Sequence, residues 1–270
     1  MSRIEALLRG IDSTDALSSR DTWLSRRDPC ALILTTLAFL VVVVSFPRHA
    51  VAALLPLALY PVVLARLGEI PLPMVATRVL LAMPFALMVG LFNPLFDTSP
   101  RAELLGQAIS GGWLSFASIM ARAALAVAAA TVLFATAGMP RICAGLNQIG
   151  VPAVLTTQLL LLHRYSLVLA GELGRMNLAR ELRSNARGDM SLAVYGSVLG
   201  NLLIRSVERA ERIHQAMLSR GFNGSLPIRQ GKRWHTADTL FVTFCGAAFV
   251  AIRATDLPTL LGRALLAVAR

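Results

Sequence analysis

The sequence predicts an all-α, polytopic integral membrane protein, and three observations lead to that prediction. Of the 270 residues, 56% are hydrophobic and only 15% are charged, against roughly 25% in ordinary soluble domains. The mean hydropathy is +0.64. The 26 Lys and Arg outnumber the 15 Asp and Glu and give a net charge of +11. Apolar bulk with a basic excess is typical of membrane proteins that retain Lys and Arg in cytoplasmic loops. It argues against a soluble enzyme or a nucleic-acid-binding protein.

Five apolar runs predict about five transmembrane helices, since a helix needs about 20 such residues to cross the hydrocarbon core. The runs cover residues 30–46, 50–65, 79–96, 113–137 and 237–252. Pro56 and Pro61 lie inside the second run, which a transmembrane helix tolerates. Asn93 and Pro94 predict a kink or a helix break near the end of the third. Arg122 is the only charge in the fourth run, and its cost at membrane depth implies either a functional or a structural role.

Two further segments begin apolar and become basic, at residues 151–184 and 190–222. Gly188 and Gly221, each with an asparagine nearby, are helix stop signals. We expect two long helices that emerge from the bilayer or lie along it, with their ends in the cytoplasm. These are the two cytoplasmic coupling helices of the predicted fold.

The distribution of charge predicts the orientation and the domain organisation. Residues 164–233 hold twelve Arg or Lys and five Asp or Glu, so +7 of the net charge of +11 lies in this block. The positive-inside rule places it in the cytoplasm. We expect a cytoplasmic N-terminal arm (1–28), four transmembrane helices (29–138), a cytoplasmic coupling domain (139–233), and a last transmembrane helix with the C-terminal tail (234–270).

The two basic helix ends resemble each other at a constant offset along the sequence. The first stripe is Arg175, Ala179 and Arg183, and the second stripe is Arg212, Ala216 and Arg220. Each stripe occupies positions i, i+4 and i+8, which share one helix face. The central alanine lets a partner approach, and the terminal arginine can make a bidentate contact with a carboxylate. Two such helix ends predict a partner with two equivalent binding grooves, which a homodimer or a pseudo-symmetric heterodimer would supply.

These segments resemble the transmembrane T component of energy-coupling factor (ECF) transporters, in particular the CbiQ type of cobalt and nickel importers. The resemblance covers nearly the whole chain and includes LSRRDPCALILTTLAFLVVVVS (24–45), HRYSLVLAGELGRMNLARELRS (163–184) and ERAERIHQAMLSRGFNG (208–224). It implies a non-catalytic subunit that transmits the motion of two ATP-binding cassette ATPase subunits to a small, metal-binding membrane subunit, for Co²⁺ or Ni²⁺ uptake. It also implies the cell inner membrane as the location, with the N-terminus and both coupling helices in the cytoplasm.

In that family, short X-Arg-X motifs at the two cytoplasmic helix ends seat in grooves of the ATPase subunits. By resemblance, these motifs are Leu182-Arg183-Ser184 and Ser219-Arg220-Gly221. The second motif matches the family pattern, whereas the first departs from the common Ala-Arg-Gly. A literal Ala186-Arg187-Gly188 follows four residues later. Because it is out of phase with the repeat, Arg183 is the preferred first coupling residue and Arg187 the alternative.

Apart from the two arginine-ended helices, the sequence shows no motif for a metal site, a redox site or a nucleotide-binding site. The histidines stand in separate segments, whereas metal sites need convergent ligands, and the cysteines form no CxxC and are expected to be reduced packing residues. No GxxxxGK[ST] phosphate loop is present, so we predict no catalytic residue, resident metal or cofactor. The residues concerned are His49, His163, His214 and His235, and Cys30, Cys143 and Cys245.

Three alternatives stay open at this point. A self-contained membrane transporter or a membrane-embedded enzyme would need polar groups that converge at mid-membrane. The arginine block on its own is also explained by positive-inside bias and contact with anionic lipid, so membrane lipid is an expected partner. Arg175 and Arg212 could pair within their own helices, with Glu172 and Glu208.

Overall fold

The computed structural model describes residues 17–18, 20–47, 51–93, 100–104, 107–183, 192–224, 226 and 234–254. The chain divides into two compact units, which are residues 17–138 with 231–270, and residues 1–16 with 139–230. The division at residue 138 falls inside one long apolar helix. Gly138 departs there from helical geometry, with φ 67° and ψ 157°, a conformation that glycine adopts without steric cost.

The described chain is helical apart from one short hairpin, which confirms the predicted all-α class. In chain order the elements are α1 (Pro29–Ser45), α2 (Val51–Leu54), a 3-10 turn (Pro56–Ala58), α3 (Leu59–Leu67), α4 (Leu72–Gly90), β1 (Pro100–Leu104), β2 (Gln107–Ser110), α5 (Gly111–Gln148), α6 (Ala153–Arg183), α7 (Leu192–Leu218) and α8 (Thr236–Ala254). The two strands pair antiparallel. Helices α6 and α7 lie in the second unit, and α1 to α4 and α8 lie in the first.

Four of the described helices are long and apolar enough to cross a membrane, namely α4, α5, α6 and α8. Helices α4, α5 and α8 correspond to the third, fourth and last predicted runs, and the first two runs form shorter apolar helices. Helix α6 is not among the five predicted runs, but it is also long and apolar enough to cross a membrane because its first half is apolar. On α4, the side chains of Leu80, Leu81 and Phe85 are 71%, 82% and 76% exposed, as expected of a face in contact with lipid. The protein is therefore a multi-pass membrane protein.

The second predicted run is not one continuous helix. Helix α2 ends at Leu54, and Pro56 begins the 3-10 turn that precedes α3. Proline lacks the N–H that would continue the helix, which explains the interruption. Pro61 lies in the first turn of α3, where no intrahelical N–H bond is lost. The helix of the third run begins earlier than predicted, at Leu72, and ends at Gly90, before Asn93, in agreement with the helix break predicted near the end of that run. Pro94 lies outside the described residues.

Asp238 joins the beginnings of α1 and α8. Its Oδ2 accepts a hydrogen bond from the His235 N–H at 3.1 Å, and its Oδ1 accepts one from the Asp28 N–H at 3.4 Å. The Nη1 of Arg27 lies 3.8 Å from the same Oδ1. Asp28 in turn caps α1 by accepting from the Cys30 N–H at 2.8 Å, as N-cap aspartates do. Because both helix beginnings meet at one carboxylate, α1 and α8 run parallel.

Residues 20–28 pack against α8, a contact that the sequence does not predict. Leu24 is buried at 1% exposure. The ring of Trp23 lies edge-on to Phe241, with the centroids 6.3 Å apart, and the guanidinium of Arg27 covers the Trp23 ring at 4.2 Å. The end of the predicted N-terminal arm thus belongs to the membrane unit, while residues 1–16 lie outside the described residues.

An aromatic cluster fixes α1 against α3 and α8. The rings of Phe39 and Tyr60 stack with centroids 4.5 Å apart, and Phe249 lies 5.6 Å from the first and 5.1 Å from the second. Phe39 and Phe249 are almost fully buried. Such ring pairs contribute beyond the apolar area they bury, so this cluster is the centre of the membrane unit.

Arg122 stabilises the end of α1. Its Nη2 donates to the carbonyl oxygens of Phe46 and Pro47, each at 2.9 Å. These carbonyls follow the last turn of α1, where intrahelical partners are missing and where a cation suits the helix dipole. Of the two roles that the sequence leaves open for Arg122, the structure favours the structural one.

Candidate functional site

Helices α6 and α7 form an antiparallel pair. At one end, Val154 near the start of α6 approaches Gly224, which follows α7, and the Leu226 N–H donates to Thr157 Oγ1 at 3.2 Å. At the other end, the last turns of α6 share a groove with Val198, near the start of α7. The basic end of each helix therefore lies beside the apolar beginning of the other.

Glu172 links the two helices near the middle of the pair. It is only 7% exposed. Its Oε1 accepts from Arg205 Nη1 at 3.3 Å, and its Oε2 accepts from Arg209 Nη2 at 2.8 Å. The Arg209 side chain is 32% exposed and that of Arg205 is 60% exposed, so solvent screens the Arg205 contact more strongly. Glu172 thus binds α7 instead of pairing with Arg175 along its own helix.

The repeat contains a signal for this link. At the offset that aligns Arg175 with Arg212, Glu172 aligns with Arg209, so opposite charges occupy one position of the two copies. In an antiparallel pair that meets near this position, equivalent residues face each other. A search of the repeat for identical residues alone misses the contact, because the two partners differ in charge.

The end of α6 carries the first predicted coupling motif. Arg183 is the last residue of the helix and is exposed, and the side chain of the preceding Leu182 is 80% exposed. Ser184 lies outside the described residues, as does the alternative motif at 186–188. The structure therefore presents Leu182 and Arg183 to solvent, and the choice between Arg183 and Arg187 stays a prediction.

The end of α7 carries the second motif in a defined turn. The Gly221 N–H donates to the Leu218 carbonyl at 3.0 Å, and the Phe222 N–H donates to the Met217 carbonyl at 3.0 Å. These two bonds, with Gly221 at φ 79°, form a Schellman motif, in which glycine takes the left-handed position at no steric cost. Arg220 is consequently the C-cap residue, and it is exposed together with Ser219. The stop signal read at Gly221 is confirmed.

Both stripes are exposed, but they face different surfaces. The first stripe lines the groove between α6 and α7. The second stripe lines neither this groove nor the one on the other side of the Glu172 link. Within it, Arg212 Nη1 lies 3.7 Å from Glu208 Oε2, so the pairing expected along the helix is present there. The two copies of the repeat therefore have similar sequences and different surroundings.

The antiparallel arrangement separates the two terminal arginines. Arg183 follows Glu172 by eleven residues on α6, and Arg220 follows Arg209 by the same number on α7. At 1.5 Å per residue, each arginine lies roughly 16 Å from the link, in opposite directions, so the two are roughly 30 Å apart. One compact pair thus presents two arginine ends at a fixed separation.

Two grooves flank the Glu172 link. The apolar groove, about 640 Å³, lies between the first half of α6 and the second half of α7, and Leu161, Tyr165 and Ile213 are among its lining residues. The basic groove, about 620 Å³, lies between the second half of α6 and the first half of α7. The chemical difference lies in the side chains that line each groove, since among the described residues Arg209 is the only arginine of the first groove and five arginines line the second.

Among the residues that the structure describes, no three side chains of His, Cys, Asp or Glu come together in a way that could hold a metal ion. His163 and His214 lie on α6 and α7, and His235 precedes α8, while His49 lies outside the described residues. The cysteines are free thiols, of which Cys30 and Cys143 are buried and Cys245 is partly buried, as expected of packing residues.

Comparison with known proteins identifies the family. A family model described as "CbiQ: Cobalt transport protein" matches residues 20–230. The chain belongs to the CbiQ family. The match extends from the segment before α1 to beyond the α6–α7 pair, and it confirms the resemblance seen in the sequence motifs. A search of curated proteins finds no match. As a CbiQ-family member with apolar helices able to span the bilayer, the protein is a membrane protein of cobalt transport.

Proposed function

We propose that this CbiQ-family protein is the coupling subunit of an ATP-driven ECF importer. It transmits the motion of two ATP-binding cassette ATPase subunits to a small, metal-binding membrane subunit that holds the substrate. The observation that carries the proposal is the pair of exposed, arginine-ended helices joined by Glu172. The proposed substrate is Co²⁺ or Ni²⁺, of which the family description names cobalt.

Arg183 and Arg220 are the proposed contacts with the ATPases, within Leu182-Arg183-Ser184 and Ser219-Arg220-Gly221. Both side chains are exposed at helix ends, where a guanidinium can make a bidentate contact with a carboxylate. The separation of roughly 30 Å, from 1.5 Å per residue, suits one groove on each of two ATPase subunits. Arg175, Ala179, Arg212 and Ala216 extend each contact along the helix.

The link at Glu172 explains how the two contacts act together. When nucleotide binding moves the ATPase grooves, each groove displaces one helix end. Because Arg205 and Arg209 hold α7 to Glu172 of α6, displacement of one helix is passed to the other through packed, hydrogen-bonded groups. The paired helices then move against the substrate-binding subunit as one body.

The proposed location is the cell inner membrane, with the N-terminus and the α6–α7 pair in the cytoplasm. The basic block at 164–233 supports this orientation through the positive-inside rule. The predicted topology also requires the first and last transmembrane helices to run in one direction. The meeting of their N-termini at Asp238 supports that relative direction.

The proposal is tested by replacing both coupling arginines. Removal of one partner of a buried charge pair costs about 2–5 kcal/mol, so Arg183→Ala or Arg220→Ala alone should weaken ATPase association. The double variant should lose most of the association and nearly all metal uptake, while its expression and membrane insertion persist. Arg164→Ala is the matched control, because Arg164 is an exposed arginine of α6 outside both stripes.

Normal assembly and transport by the double variant would refute the coupling role. The register of the first motif is tested in the same experiment by Arg187→Ala, which should have a mild effect. If Arg187→Ala is severe and Arg183→Ala is mild, the coupling role stands and the first contact moves to Arg187.

A further inference from the structure

The apolar groove of the α6–α7 pair presents hydrocarbon to its surroundings. Most of its lining side chains are apolar, and two of them, Val154 and Leu162, are 52% and 67% exposed. Contiguous apolar surface of this kind marks a site where another apolar element packs. The described residues of the two coupling motifs do not line this groove, so the proposed ATPase contact does not account for it.

The groove continues along α7 as a largely apolar strip. Leu199 and Leu203, which are 56% and 64% exposed, share a helix face with four residues of α7 that line the groove, because the spacing alternates between four and three residues. The four lining residues are Ser206, Ala210, Ile213 and Met217. From Leu199 to Met217 the strip is roughly 27 Å long, at 1.5 Å per residue. A long, narrow apolar surface suits a helix that lies along it.

The N-terminal segment has the sequence pattern of such a helix. Its apolar residues stand at positions i, i+3, i+4 and i+7, and they are Ile4, Leu7, Leu8 and Ile11. This is the anchor spacing of an amphipathic helix that binds in a groove. On a helix, the charged residues fall outside this apolar stripe, and they are Arg3, Glu5, Arg9 and Asp12. An isolated helix of about 11 residues is marginal in water, so the segment needs a surface on which to pack.

The segment belongs to the unit that contains the groove. Residues 1–16 lie outside the described residues, but they group with residues 139–230, whereas the chain from residue 17 to residue 138 belongs to the other unit. The lengths also agree. The α6 wall of the groove runs from Val154 to Leu169, which is roughly 22 Å, and a helix over residues 2–12 is roughly 16 Å long. The chain therefore supplies an occupant of suitable pattern and length within the same unit.

We propose that residues 2–12 form an amphipathic helix that packs its apolar stripe into the apolar groove of the α6–α7 pair. The pair then becomes a unit of three helices, and the chain's own N-terminal segment covers the exposed apolar face. Phe222 lines the groove and follows Arg220 by two residues, so the docked helix also supports the turn at the end of α7. A helix from a second copy or from another protein is the alternative occupant, and cross-linking distinguishes these cases.

The test is cross-linking of the full chain in proteoliposomes, in a background without native cysteines. Leu8→Cys is combined with Leu162→Cys, and a short bismaleimide is added. Leu8 is near the middle of the apolar stripe and Leu162 is near the middle of the α6 wall, so the two approach each other whichever way the docked helix runs. We expect a cross-link within one chain. Ala6→Cys is the matched control on the opposite side of the predicted helix, and it should cross-link several-fold less.

Amide hydrogen exchange gives an independent measurement. Leu7→Ser with Leu8→Ser should speed exchange in residues 154–169 several-fold, because loss of packing makes local opening easier, whereas Arg9→Ser should leave it unchanged. Equal exchange in these two variants would overturn the proposal.

The cross-linking experiment has three outcomes that would also overturn the proposal. A cross-link only between two chains would assign the groove to a second copy. No cross-link at all would leave the groove to another protein. Equal cross-linking from Leu8→Cys and Ala6→Cys would show that the apolar stripe does not face the groove. Since no ATPase is present in either experiment, failure here leaves the coupling proposal standing.

Discussion

Replacement of Arg122 by alanine should destabilise the membrane unit around α1. The guanidinium donates to the carbonyl oxygens of Phe46 and Pro47, both at 2.9 Å. These carbonyls lie just beyond the last turn of α1, where an apolar environment offers few other donors. Arg122→Ala removes both bonds and also the cation at the negative end of the helix dipole.

The expected loss follows from the surroundings of the two carbonyls. A hydrogen bond to a charged group contributes about 1.5–3 kcal/mol, and a cation at a helix C-terminus about 0.3–1 kcal/mol. The contact with Pro47 is exposed, so water can replace the guanidinium there, whereas the contact with Phe46 is partly buried. The Phe46 carbonyl therefore dominates, and we expect the free energy of unfolding to fall by about 2–3 kcal/mol.

The assay is denaturant-induced unfolding in detergent micelles, followed by circular dichroism. Arg122→Lys should lose less than Arg122→Ala, because lysine keeps the charge without the planar fork. Arg253→Gln is a nearby control, since the Arg253 guanidinium lies over the Phe46 ring at 5.0 Å and such a contact contributes about 0.5–1 kcal/mol at an exposed site. An Arg122→Ala protein within about 0.5 kcal/mol of wild type would refute the capping role, since that is the scatter of neutral surface substitutions.

Three further predictions concern the helix pair. Glu172→Gln should increase amide hydrogen exchange in α6 and α7, because it weakens the hydrogen bonds to α7. Glu208→Gln is the control and should leave exchange unchanged, since it alters an exposed ion pair within one helix. Equal exchange in the two variants would contradict the link. Gly221→Ala should reduce ATPase co-purification without abolishing it. The left-handed conformation at φ 79° costs alanine about 1 kcal/mol, so the end of α7 should fray in this variant. Unchanged co-purification would show that the turn at Gly221 does not contribute to ATPase association. Cysteines placed at Ser184 and Ser225 in a background without native cysteines should resist an impermeant maleimide in intact cells and react in inverted vesicles, and labelling from outside would reverse the topology.

Local signals in the sequence were sufficient for several features of the fold. Three of the five apolar runs located helices that are long enough to cross a membrane, α4, α5 and α8. Gly221 marked the end of α7 because only glycine takes the left-handed position readily. Pro56 shows the limit of this reasoning. Whether a proline bends a helix or divides it depends on the neighbouring packing, and the structure divides the run at residues 55–58.

Contacts between distant segments were largely beyond the sequence. Nothing in the segment around Asp28 indicates that Asp238 lies beside it, because 210 residues separate them. The role of Arg122 depends on where α1 ends relative to α5, which no local pattern encodes. For the candidate site, the stripes could be read from helical spacing, whereas the groove lined by the first stripe required the antiparallel pairing with α7.

The most direct test of the coupling proposal is co-purification from native membranes, with transport measured on the recovered material. The tagged protein should bring with it an ATP-binding subunit and a small membrane protein, and the reconstituted complex should import Co²⁺ or Ni²⁺ only with ATP. Arg183→Ala combined with Arg220→Ala should lose the ATP-binding subunit while remaining in the membrane. Metal uptake by the purified chain alone, or a complex of full strength with both arginines replaced, would contradict the account.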